Sequence, residues 1–437
     1  MQKCLIWCFL AALACCGRTG TSGVLFDAGR NAILVTDYPA KHPCTLSRLA
    51  VFDRAFGWGK IRHDPASKTY TCNCQIVIGA NDGSETYFQI GSAEYPDETL
   101  VMHGNLYVQP YWIEKENSEL RWWNAPARIN RLTIGSADNT NVQGILKFAP
   151  ENSLTVGQAA NGRTGRGGQL FIYNSCVTAL DPARGFGIKG ARGYASLSQV
   201  GADGHVLVNA RVTHARGYIC GGMSPGWNKI FKVENTVFSN FGYMAPEKAE
   251  FADCIFEGAQ AAALRDRGSM HIEVSNCTFR NNERNWELIY SDQGLTLIDC
   301  EWDTPRRPDK FRAWTFPGGK KQYPKLSVRR HVVVEAVDAG GKPVKDASVS
   351  FNPEQDGCDL ILRPVLKTDA QGRTPGKGRT GALLLTDFIK SATDREDQPA
   401  LQSFTYSITA EISGKKATAS RVCADANWKL VRIKFTE

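Results

Sequence analysis

An asparagine or aspartate recurs six times in this chain with the same residue types around it. In the fifth copy, Asn276 is followed at once by the small residue Cys277 and three positions later by the apolar Phe279, and Val274 stands two positions before it. Successive copies are 35, 26, 18, 23 and 23 residues apart. Units of this length are too short to fold alone and are typical of repeats that pack on their neighbours. The six positions are Asn174, Asn209, Asn235, Asp253, Asn276 and Asp299.

The repeated unit predicts two strands joined by a corner. Val274 lies on one side of an extended strand, whereas Cys277 and Phe279 have the opposite parity, so the chain must bend between positions 274 and 277 if all three are to face inward. Asparagine and aspartate tolerate a left-handed backbone better than other residues with a side chain, which predicts the corner at Asn276. Stacked units would align these side chains into a hydrogen-bonded ladder over a continuous apolar core. The pattern therefore predicts an all-β fold, a parallel β-helix.

One unit of the repeat resembles a coil of the right-handed parallel β-helix, or pectate-lyase-like, superfamily. The resemblance covers about residues 130–304, and it implies the right-handed course of the coil. It implies no single activity, because the superfamily includes polysaccharide lyases, glycoside hydrolases, epimerases, adhesins and inert surface proteins. The residues that carry it are Val274, Asn276, Cys277, Phe279, Asn281, Leu288, Ile289 and Tyr290.

Fainter copies and changes in composition predict the domain boundaries. Leu132-Thr133-Ile134-Gly135 recurs as Leu154-Thr155-Val156-Gly157, and Ile76-Val77-Ile78-Gly79 is similar, so the β-helix is expected over 75–304. Residues 24–74 lack the repeat and are expected to cap the open end of the core, as repeat proteins require. Residues 305–325 are rich in Pro, Arg, Lys and Gly, which predicts a linker.

The last part of the chain, residues 326–437, predicts a small β-sandwich. Residues 330–337 and 347–351 alternate on either side of Gly340-Gly341-Lys342-Pro343, which predicts a hairpin. The stretch from Val332 to Val349, with Thr368-Asp369-Ala370-Gln371-Gly372, resembles the carboxypeptidase-regulatory-like, immunoglobulin-like modules of exported proteins. The resemblance implies an accessory domain without catalytic residues. Cys358 and Cys423 are its only cysteines and the best candidates for a disulfide.

The first residues predict export. Residues 1–14 contain Lys3, an apolar run over 5–13, and Ala12 and Ala14 at the spacing of a signal-peptidase site. The protein is therefore expected to be secreted or extracytoplasmic. Lipoprotein anchoring at Cys15 is the less favoured alternative, because Ala12 and Leu13 fit a lipobox poorly. No other segment contains the ~20 apolar residues that a membrane helix needs, so no transmembrane segment is expected.

Other cysteines are predicted to be structural. Cys254, Cys277 and Cys300 fall in an inward column at equal steps, and stacked strands aim such thiols poorly for pairing. They are expected to be small buried residues. The Asn276-Cys277-Thr278 triplet matches a glycosylation acceptor, but the corner ladder is expected to occupy its amide. The pairing of Cys44, Cys72 and Cys74 is left open, and no second Cys/His pair at ligand spacing predicts zinc.

Basic residues concentrate where the repeat is longest. The net charge is +8, and Arg184, Lys189, Arg192 and His205 fall in the 35-residue interval, with His214 and Arg216 in the next. This bias suits an acidic polysaccharide or a cell-surface glycan; nucleic acid is not expected. The protein is expected to be a monomer without a cofactor or a metal ion, and a role for calcium is left open.

Uronate lyases must neutralise a carboxylate, remove the adjacent proton and protonate the leaving oxygen. Residues of suitable type are available on adjacent units, although ordinary solvated side chains are the alternative for each. His205 has a further interpretation, since it falls in an inward column and can simply begin a strand. The catalytic candidates are Lys189, His214, Arg216 and Tyr218, and the substrate-binding candidates are Arg192, Arg211 and Trp227.

Two further functional patterns are weaker. Glycoside hydrolysis needs paired carboxylates, and Asp266, Glu283, Glu287 and Asp292 form no convincing local pair. The aromatic residues between 107 and 123 suit sugar stacking or packing of the cap. The expected function is therefore an exported carbohydrate-interacting β-helix protein, with lyase-like action on an acidic polysaccharide as its enzymatic form. The alternative is a non-catalytic surface or adhesive protein.

Overall fold

The computed structural model describes most of the chain beyond residue 22. The fold is all-β, and among the described residues only Leu46–Phe56 form an α-helix. For residues 112–113, 165–166, 187–190, 217–221, 231 and 246 the backbone alone is described. The described ranges are 23–79, 85–109, 112–113, 130–156, 165–166, 168–190, 205–221, 231–246, 249–265, 272–289, 294–315, 319, 321–356, 358, 365–395 and 398–436.

Three long sheets, built mainly from parallel pairs, hold most of the strands. Sheet 1 contains, in spatial order, Gly23–Asp27, Ala32–Thr36, Gln75–Ile78, Leu106–Val108, Ser153–Val156, Phe186–Gly190, Ala215–Gly221, Tyr243–Pro246, Ala262–Arg265, Trp286–Leu288 and Lys310–Phe311. Sheet 2 contains Cys44–Thr45, Thr86–Ile90, Asn130–Ile134, Gly168–Tyr173, Val206–Val208, Phe231–Glu234, Ala249–Ala252, Ile272–Ser275, Leu295–Ile298, Lys325–Val337, Leu383–Ser391 and Ala400–Ser403, with Lys429–Lys434 also paired to Lys325–Val337. Sheet 3 contains Glu301–Trp302, Thr278–Arg280, Ile255–Glu257, Val237–Ser239, Arg211–Thr213, Cys176–Ala179, Gly144–Phe148, Glu98–Met102, Thr69–Cys72 and Ile61–Asp64.

The remaining strands form smaller sheets. Leu366–Lys367, Ser348–Pro353, Thr405–Ile412 and Lys415–Cys423 make a four-stranded sheet. Two antiparallel pairs complete the set, Trp112–Ile113 with Gly165–Arg166 and Trp314–Thr315 with Lys321–Gln322.

The chain passes through the long sheets in a repeating order, sheet 2, then sheet 3, then sheet 1. In one pass it runs through Ile272–Ser275, Thr278–Arg280 and Trp286–Leu288. It then returns to sheet 2, where Leu295–Ile298 pairs in parallel with Ile272–Ser275. Each predicted unit of the repeat therefore supplies one strand to each long parallel sheet.

The predicted corner is confirmed at all six positions. The six Asn and Asp residues have φ angles between 44° and 55°, in the left-handed region. The backbone N–H of Asn276 donates to the carbonyl of Ile298 in the next unit (2.8 Å). Side chains add a ladder in which Asn209 Nδ2 donates to Asn174 Oδ1 (2.9 Å) and Asn235 Nδ2 donates to Asn209 Oδ1 (2.7 Å). Asn276 Nδ2 likewise donates to Asp253 Oδ1, so the amide of the glycosylation-like triplet takes part in the ladder.

In five of the six units, the small residue after the corner closes it from inside, whereas Ala210 in the remaining unit has no side-chain donor. Cys277 Sγ donates to the carbonyl of Ser275 (3.2 Å), two residues earlier in the chain. The hydroxyls of Ser175 and Thr236 make the same contact at 2.6 and 2.9 Å. Cys254, Cys277 and Cys300 are free and 1% exposed, which confirms their prediction as buried small residues. Cys44, Cys72 and Cys74, whose pairing the sequence left open, are also free and buried.

Two hydrophobic cores lie between the sheets. The first follows the repeat from Val24 to Val328, and within it the rings of Phe238, Phe256 and Phe279 stack at centroid distances of 5.3 and 4.8 Å. The second lies between residues 332 and 435. Continuous burial of large side chains contributes most of the stability of such sheets, because each Phe removes a large apolar area from water.

Antiparallel strands end sheets 1 and 3 at the side of the predicted cap, whereas sheet 2 ends at the parallel strand Cys44–Thr45. Gly23–Asp27 pairs antiparallel with Ala32–Thr36 at the edge of sheet 1, and Ile61–Asp64 pairs antiparallel with Thr69–Cys72 at the edge of sheet 3. The helix Leu46–Phe56 begins after Thr45, whose hydroxyl accepts from Arg48 N, and it ends at the left-handed Gly57. These short or twisted edges limit pairing with other chains.

At the opposite end, one strand belongs to both parts of the chain. Lys325–Val337 pairs in parallel with Leu295–Ile298 and continues beside Leu383–Ser391 and Lys429–Lys434. Within residues 305–325, predicted as a linker, Lys310–Phe311 is the last strand of sheet 1 and Phe311 is buried in the first core.

The predicted hairpin of residues 330–337 and 347–351 is wrong. Lys325–Val337 lies in sheet 2, whereas Ser348–Pro353 pairs with Thr405–Ile412 in the four-stranded sheet. The turn around Gly341, whose φ is 83°, carries the chain from one sheet to another. Alternation identified both strands, but it contains no information on their partners. No helix in the described ranges is long and apolar enough to cross a membrane.

We predict that replacing Asn276 separates the backbone contribution of the corner from that of the ladder. Asn276→Ala should lower the free energy of unfolding by about 2 kcal/mol, because alanine is strained at φ 51° and the ladder bond is lost. Asn276→Gly loses only the ladder bond and should cost about 1 kcal/mol. Urea denaturation measures both, and equal losses would contradict a left-handed requirement at this corner.

The buried Glu98 should make stability depend on pH. Its side chain accepts from Gly91 N (3.0 Å), and burial raises its pKa from 4.5 to about 7. The folded state therefore binds more protons than the unfolded state over this interval, so its stability should fall as the pH rises from 4.5 to 7. Glu98→Gln should remove this fall and be more stable at pH 8 by up to about 3 kcal/mol. Denaturation curves at pH 4 and pH 8 test this, with exposed Glu301→Gln as control; an unchanged pH profile would contradict it.

Candidate functional site

Long connections between strands follow sheet 1 in several units of the repeat. The chain passes from sheet 1 to sheet 2 through residues 109–129, 157–167, 191–205 and 222–230 in four successive units. The later connections are shorter, at 247–248, 266–271 and 289–294. In the first two, the strands Trp112–Ile113 and Gly165–Arg166 pair with each other. Insertions at the corners of stacked strands are where such folds build binding sites, so sheet 1 and its border with sheet 2 form the candidate region.

The structure assigns the predicted site residues to different parts of this region. Lys189 and Tyr218 are direct Cα partners on neighbouring strands of sheet 1. Arg216 pairs with Gly187 on the same two strands, whereas Arg211 lies in sheet 3 opposite Cys176. Arg192 and Trp227 lie outside the described residues, as do the side chains of Lys189 and Tyr218.

His214 is a corner residue between sheet 3 and sheet 1. Its φ is 60°, and the equivalent positions in the next units are Asn240, Gly258 and Asn281, with φ of 52°, 68° and 55°. His214 N donates to Ser239 O (3.0 Å), and its Nε2 lies 3.5 Å from Asn240 Nδ2. These contacts form a second column of left-handed corners, which the sequence analysis missed because its members include His, Asn and Gly. A backbone role explains this histidine without catalysis.

The two arginines of the predicted site do not share one surface. Arg216 is exposed, and its Nη2 donates to the carbonyl of Ala183. Arg211 is also exposed, but it stands on sheet 3, on the other side of the His214 corner. Lys189 and Tyr218, which were predicted to belong to one site, are therefore neighbours in the backbone register. Arg211 stands on a different sheet.

His205 is a structural residue, as its alternative interpretation predicted. It is 2% exposed, and its Nδ1 accepts from the backbone N–H of Leu170 (2.8 Å). Burial lowers its pKa from 6.5 to about 3, so the ring is neutral at physiological pH. A neutral, buried imidazole cannot contribute positive charge to a polyanion site.

Sheet 1 carries a row of neighbouring residues that extends the predicted Lys189–Tyr218 pair. Tyr218 is the Cα partner of Tyr243, whose own partner on the next strand is Ala262. The register shifts after Tyr243, and beyond the shift Arg265 pairs with Glu287 and Glu287 pairs with Lys310. Arg265 joins the two groups because its guanidinium contacts the Tyr243 ring. We call Lys189, Tyr218, Tyr243, Arg265, Glu287 and Lys310 the sheet 1 line.

The described end of the sheet 1 line is held by close contacts between charged groups. The Arg265 guanidinium lies 5.3 Å from the centre of the Tyr243 ring, and its Nε lies 3.5 Å from Glu287 Oε2. Lys310 Nζ lies 3.9 Å from Glu287 Oε1. Glu287 is therefore placed between two cations, with its side chain 13% exposed. Cations outnumber the carboxylate here, and an anionic ligand could compete with Glu287 for them.

Sequence reasoning missed Tyr243, Arg265 and Lys310 as members of the site. Their neighbours Met244, Leu264 and Phe311 are buried, so strand alternation assigns the three side chains to the outer face. That signal was available, but it becomes useful only when the register between units is known. The register shift between Tyr243 and Met244 breaks any alignment made by constant spacing.

The predicted bridge between Cys358 and Cys423 is not formed in this structure. Cys358 Sγ lies 3.1 Å from Tyr406 Oη, and Cys423 Sγ lies 3.9 Å from the carbonyl of Arg421. Cys423 ends the strand Lys415–Cys423 and pairs with Thr405, whereas Cys358 precedes the strand Leu366–Lys367. These are the only two cysteines in this part of the sequence, but the fold places them beside different neighbours.

In the described ranges, no three His, Cys, Asp or Glu side chains are arranged to hold a metal ion.

We predict that His214 can be replaced by another residue that accepts the left-handed backbone. His214→Asn should keep the thermal unfolding midpoint and any polysaccharide binding or cleavage, because asparagine already occupies the equivalent corner at position 240. His214→Ala should lower the free energy of unfolding by about 1 kcal/mol through backbone strain. Loss of activity in a fully folded His214→Asn variant would instead support the catalytic role.

No protein-family model, curated protein or solved structure matches the chain. Function therefore has to be inferred from the arrangement of the strands and of the charged groups on them.

Proposed function

We propose that this is an exported right-handed parallel β-helix protein with a C-terminal β-sandwich, and that it binds an acidic polysaccharide along the sheet 1 line. The repeating order of the three long sheets around the first core supports the β-helix. The second core and the four-stranded sheet support the sandwich. Export rests on the composition of residues 1–14.

The proposed binding rests on the position of the sheet 1 line, which lies beside the long connections that lead from sheet 1 to sheet 2. Stacked strands repeat at about 4.8 Å, so outer residues on neighbouring strands recur in a row at a short step. Such a row suits an extended polymer that carries charge at regular intervals. Arg265 and Lys310 supply cations, Tyr243 supplies an aromatic face, and the backbone register places Lys189 on the strand next to that of Tyr218.

Carboxylates at two places on the surface would repel nucleic acid or any other uniformly negative partner. Glu287 lies within the sheet 1 line, and the outer positions of sheet 2 include Glu234, Glu250 and Glu273. A ligand must therefore match individual cations instead of a uniformly positive surface. A polysaccharide offers separate carboxylates and hydroxyls for this pattern, together with sugar faces for the tyrosines.

Lyase chemistry is a second candidate, favoured by the pairing of Lys189 with Tyr218. Their Cα atoms are direct partners on adjacent strands, at a separation of about 4.8 Å. A lysine that removes the proton beside a uronate carboxylate and a tyrosine that protonates the leaving oxygen would satisfy the reaction. Arg216, two residues before Tyr218 on the same strand, is the candidate to neutralise the carboxylate. The alternative is a surface or adhesive protein that binds without cleavage.

Binding along the sheet 1 line predicts a selective effect of Arg265→Gln. This change should weaken binding to a polyuronate roughly tenfold, since one cation of the line is lost. Arg280→Gln is the matched control, because Arg280 also pairs with a glutamate, Glu257, but stands on sheet 3. Affinity electrophoresis in a polyuronate gel measures both variants. Equal weakening of the two, or no effect of Arg265→Gln, would contradict the proposed surface.

The lyase candidate predicts an absorbance increase from unsaturated chain ends when the protein is incubated with uronate polysaccharides. Tyr218→Phe and Lys189→Ala should each lower the rate at least 100-fold without loss of binding. Activity retained by both variants would exclude these two residues as the acid and base. Binding without cleavage of any substrate in the panel would support the non-catalytic alternative.

A further inference from the structure

A cleft of about 780 Å³ opens where the end of the repeat meets the last part of the chain. One wall comes from the final passes through sheets 3 and 1, and the opposite wall comes from the strand Leu383–Ser391 and the segment before Ala400–Ser403. Three prolines shape it, at positions 305, 308 and 399. The other lining residues are Arg284, Thr304, Asp309, Lys310 and Lys390.

Three cations reach the cleft from three different elements. Arg284 precedes the strand Trp286–Leu288, and its Nε donates to the carbonyl of Pro308 (3.0 Å), which fixes the guanidinium at the wall. Lys390 stands on Leu383–Ser391, with Nζ 4.8 Å from the centre of the buried Phe311 ring. Lys310 belongs to the last strand of sheet 1. A guanidinium has four N–H donors beyond Nε–H, so Arg284 retains capacity for a ligand.

The one carboxylate that lines the cleft has a structural task. Asp309 Oδ1 accepts from the backbone N–H groups of Asn285 (2.9 Å) and Trp286 (3.1 Å). These bonds attach the segment after Pro308 to the start of the neighbouring sheet 1 strand. Asp309 also interacts electrostatically with Arg284 and Lys390, and Lys310 pairs with Glu287. Among the lining residues, one carboxylate stands against three cations, so the lining keeps an excess of positive charge.

We propose that this cleft binds the anionic group, carboxylate or sulfate, of one unit of an acidic saccharide. Arg284 and Lys390 donate to the anionic oxygens, and the prolines and Thr304 contact the sugar ring. Lys310 is common to the cleft and the sheet 1 line, so a chain lying along sheet 1 would deliver a unit to the cleft. The inference rests on the proposed polysaccharide binding, and it adds a separate subsite contributed by both parts of the chain.

A short probe separates the cleft from the sheet 1 line. A uronate trisaccharide and its sulfated counterpart can fill the cleft without spanning the line, and isothermal titration calorimetry measures their Kd on the full-length protein. Lys390→Gln and Arg284→Gln should each weaken trisaccharide binding roughly tenfold. Lys367→Gln, at an exposed lysine on the strand Leu366–Lys367, should leave it unchanged. Binding should also weaken when salt is raised from 0.05 to 0.5 M, both approximate concentrations chosen to shorten the screening length.

The outcomes distinguish the two proposals. Trisaccharide binding that depends on Arg284 and Lys390 but not on Arg265 supports the cleft, even if the polymer fails to bind along sheet 1. Polymer binding that is sensitive to Arg265→Gln, with no trisaccharide binding, overturns the cleft and leaves the sheet 1 proposal standing. Thermal unfolding of each variant identifies loss of fold, and a neutral trisaccharide that binds equally well would overturn the anionic specificity.

Discussion

In the six repeated units, a left-handed corner follows the strand that each contributes to sheet 2, and the stacking of the units depends on this corner. At φ near 50° the chain turns sharply enough that residues on both sides face one core, and Asn or Asp adopts this backbone at lower cost than other residues with a side chain. The corner N–H then bonds to the next unit, as from Asn276 to Ile298, while the following Ser, Thr or Cys closes the corner from inside. One local preference thus determines the strand direction, the stacking and the inward faces together.

The same backbone requirement changes the interpretation of the functional residues. His214 has the chemistry of a general base, but it occupies a column whose other members are Asn240, Gly258 and Asn281, where the common property is the left-handed backbone. Cys277 and His205 likewise have reactive groups that burial and hydrogen bonding assign to structure. After these are removed, the candidates that remain are outer-face residues of sheet 1. Their importance comes from their alignment with one another and not from any single side chain.

Sequence reasoning predicted the all-β fold, the six corners and the buried cysteine column, and it offered an inward position at the start of a strand as one interpretation of His205, because each depends on a residue and its near neighbours. It failed for the hairpin after Arg330 and assigned a linker to residues that include the buried Phe311. Both depend on which distant strand a segment meets. The Cys358–Cys423 pairing was inferred by elimination, and in the structure both thiols are free with other neighbours. Half of the sheet 1 line was also missed, because neighbours on adjacent strands are separated in the sequence by numbers of residues that vary with each connection.

The positions where the chain bends and the residues that face the core follow from the sequence, because backbone preference and apolar spacing are local and recur at the same offsets in every unit. Which outer residues become neighbours depends instead on the tertiary structure. Arg265, Glu287 and Lys310 meet through strand register, and Arg284 and Lys390 line one cleft because Lys325–Val337 joins the last unit to Leu383–Ser391. Such contacts depend on the lengths of the connections and on pairing between distant strands, and no local pattern specifies either.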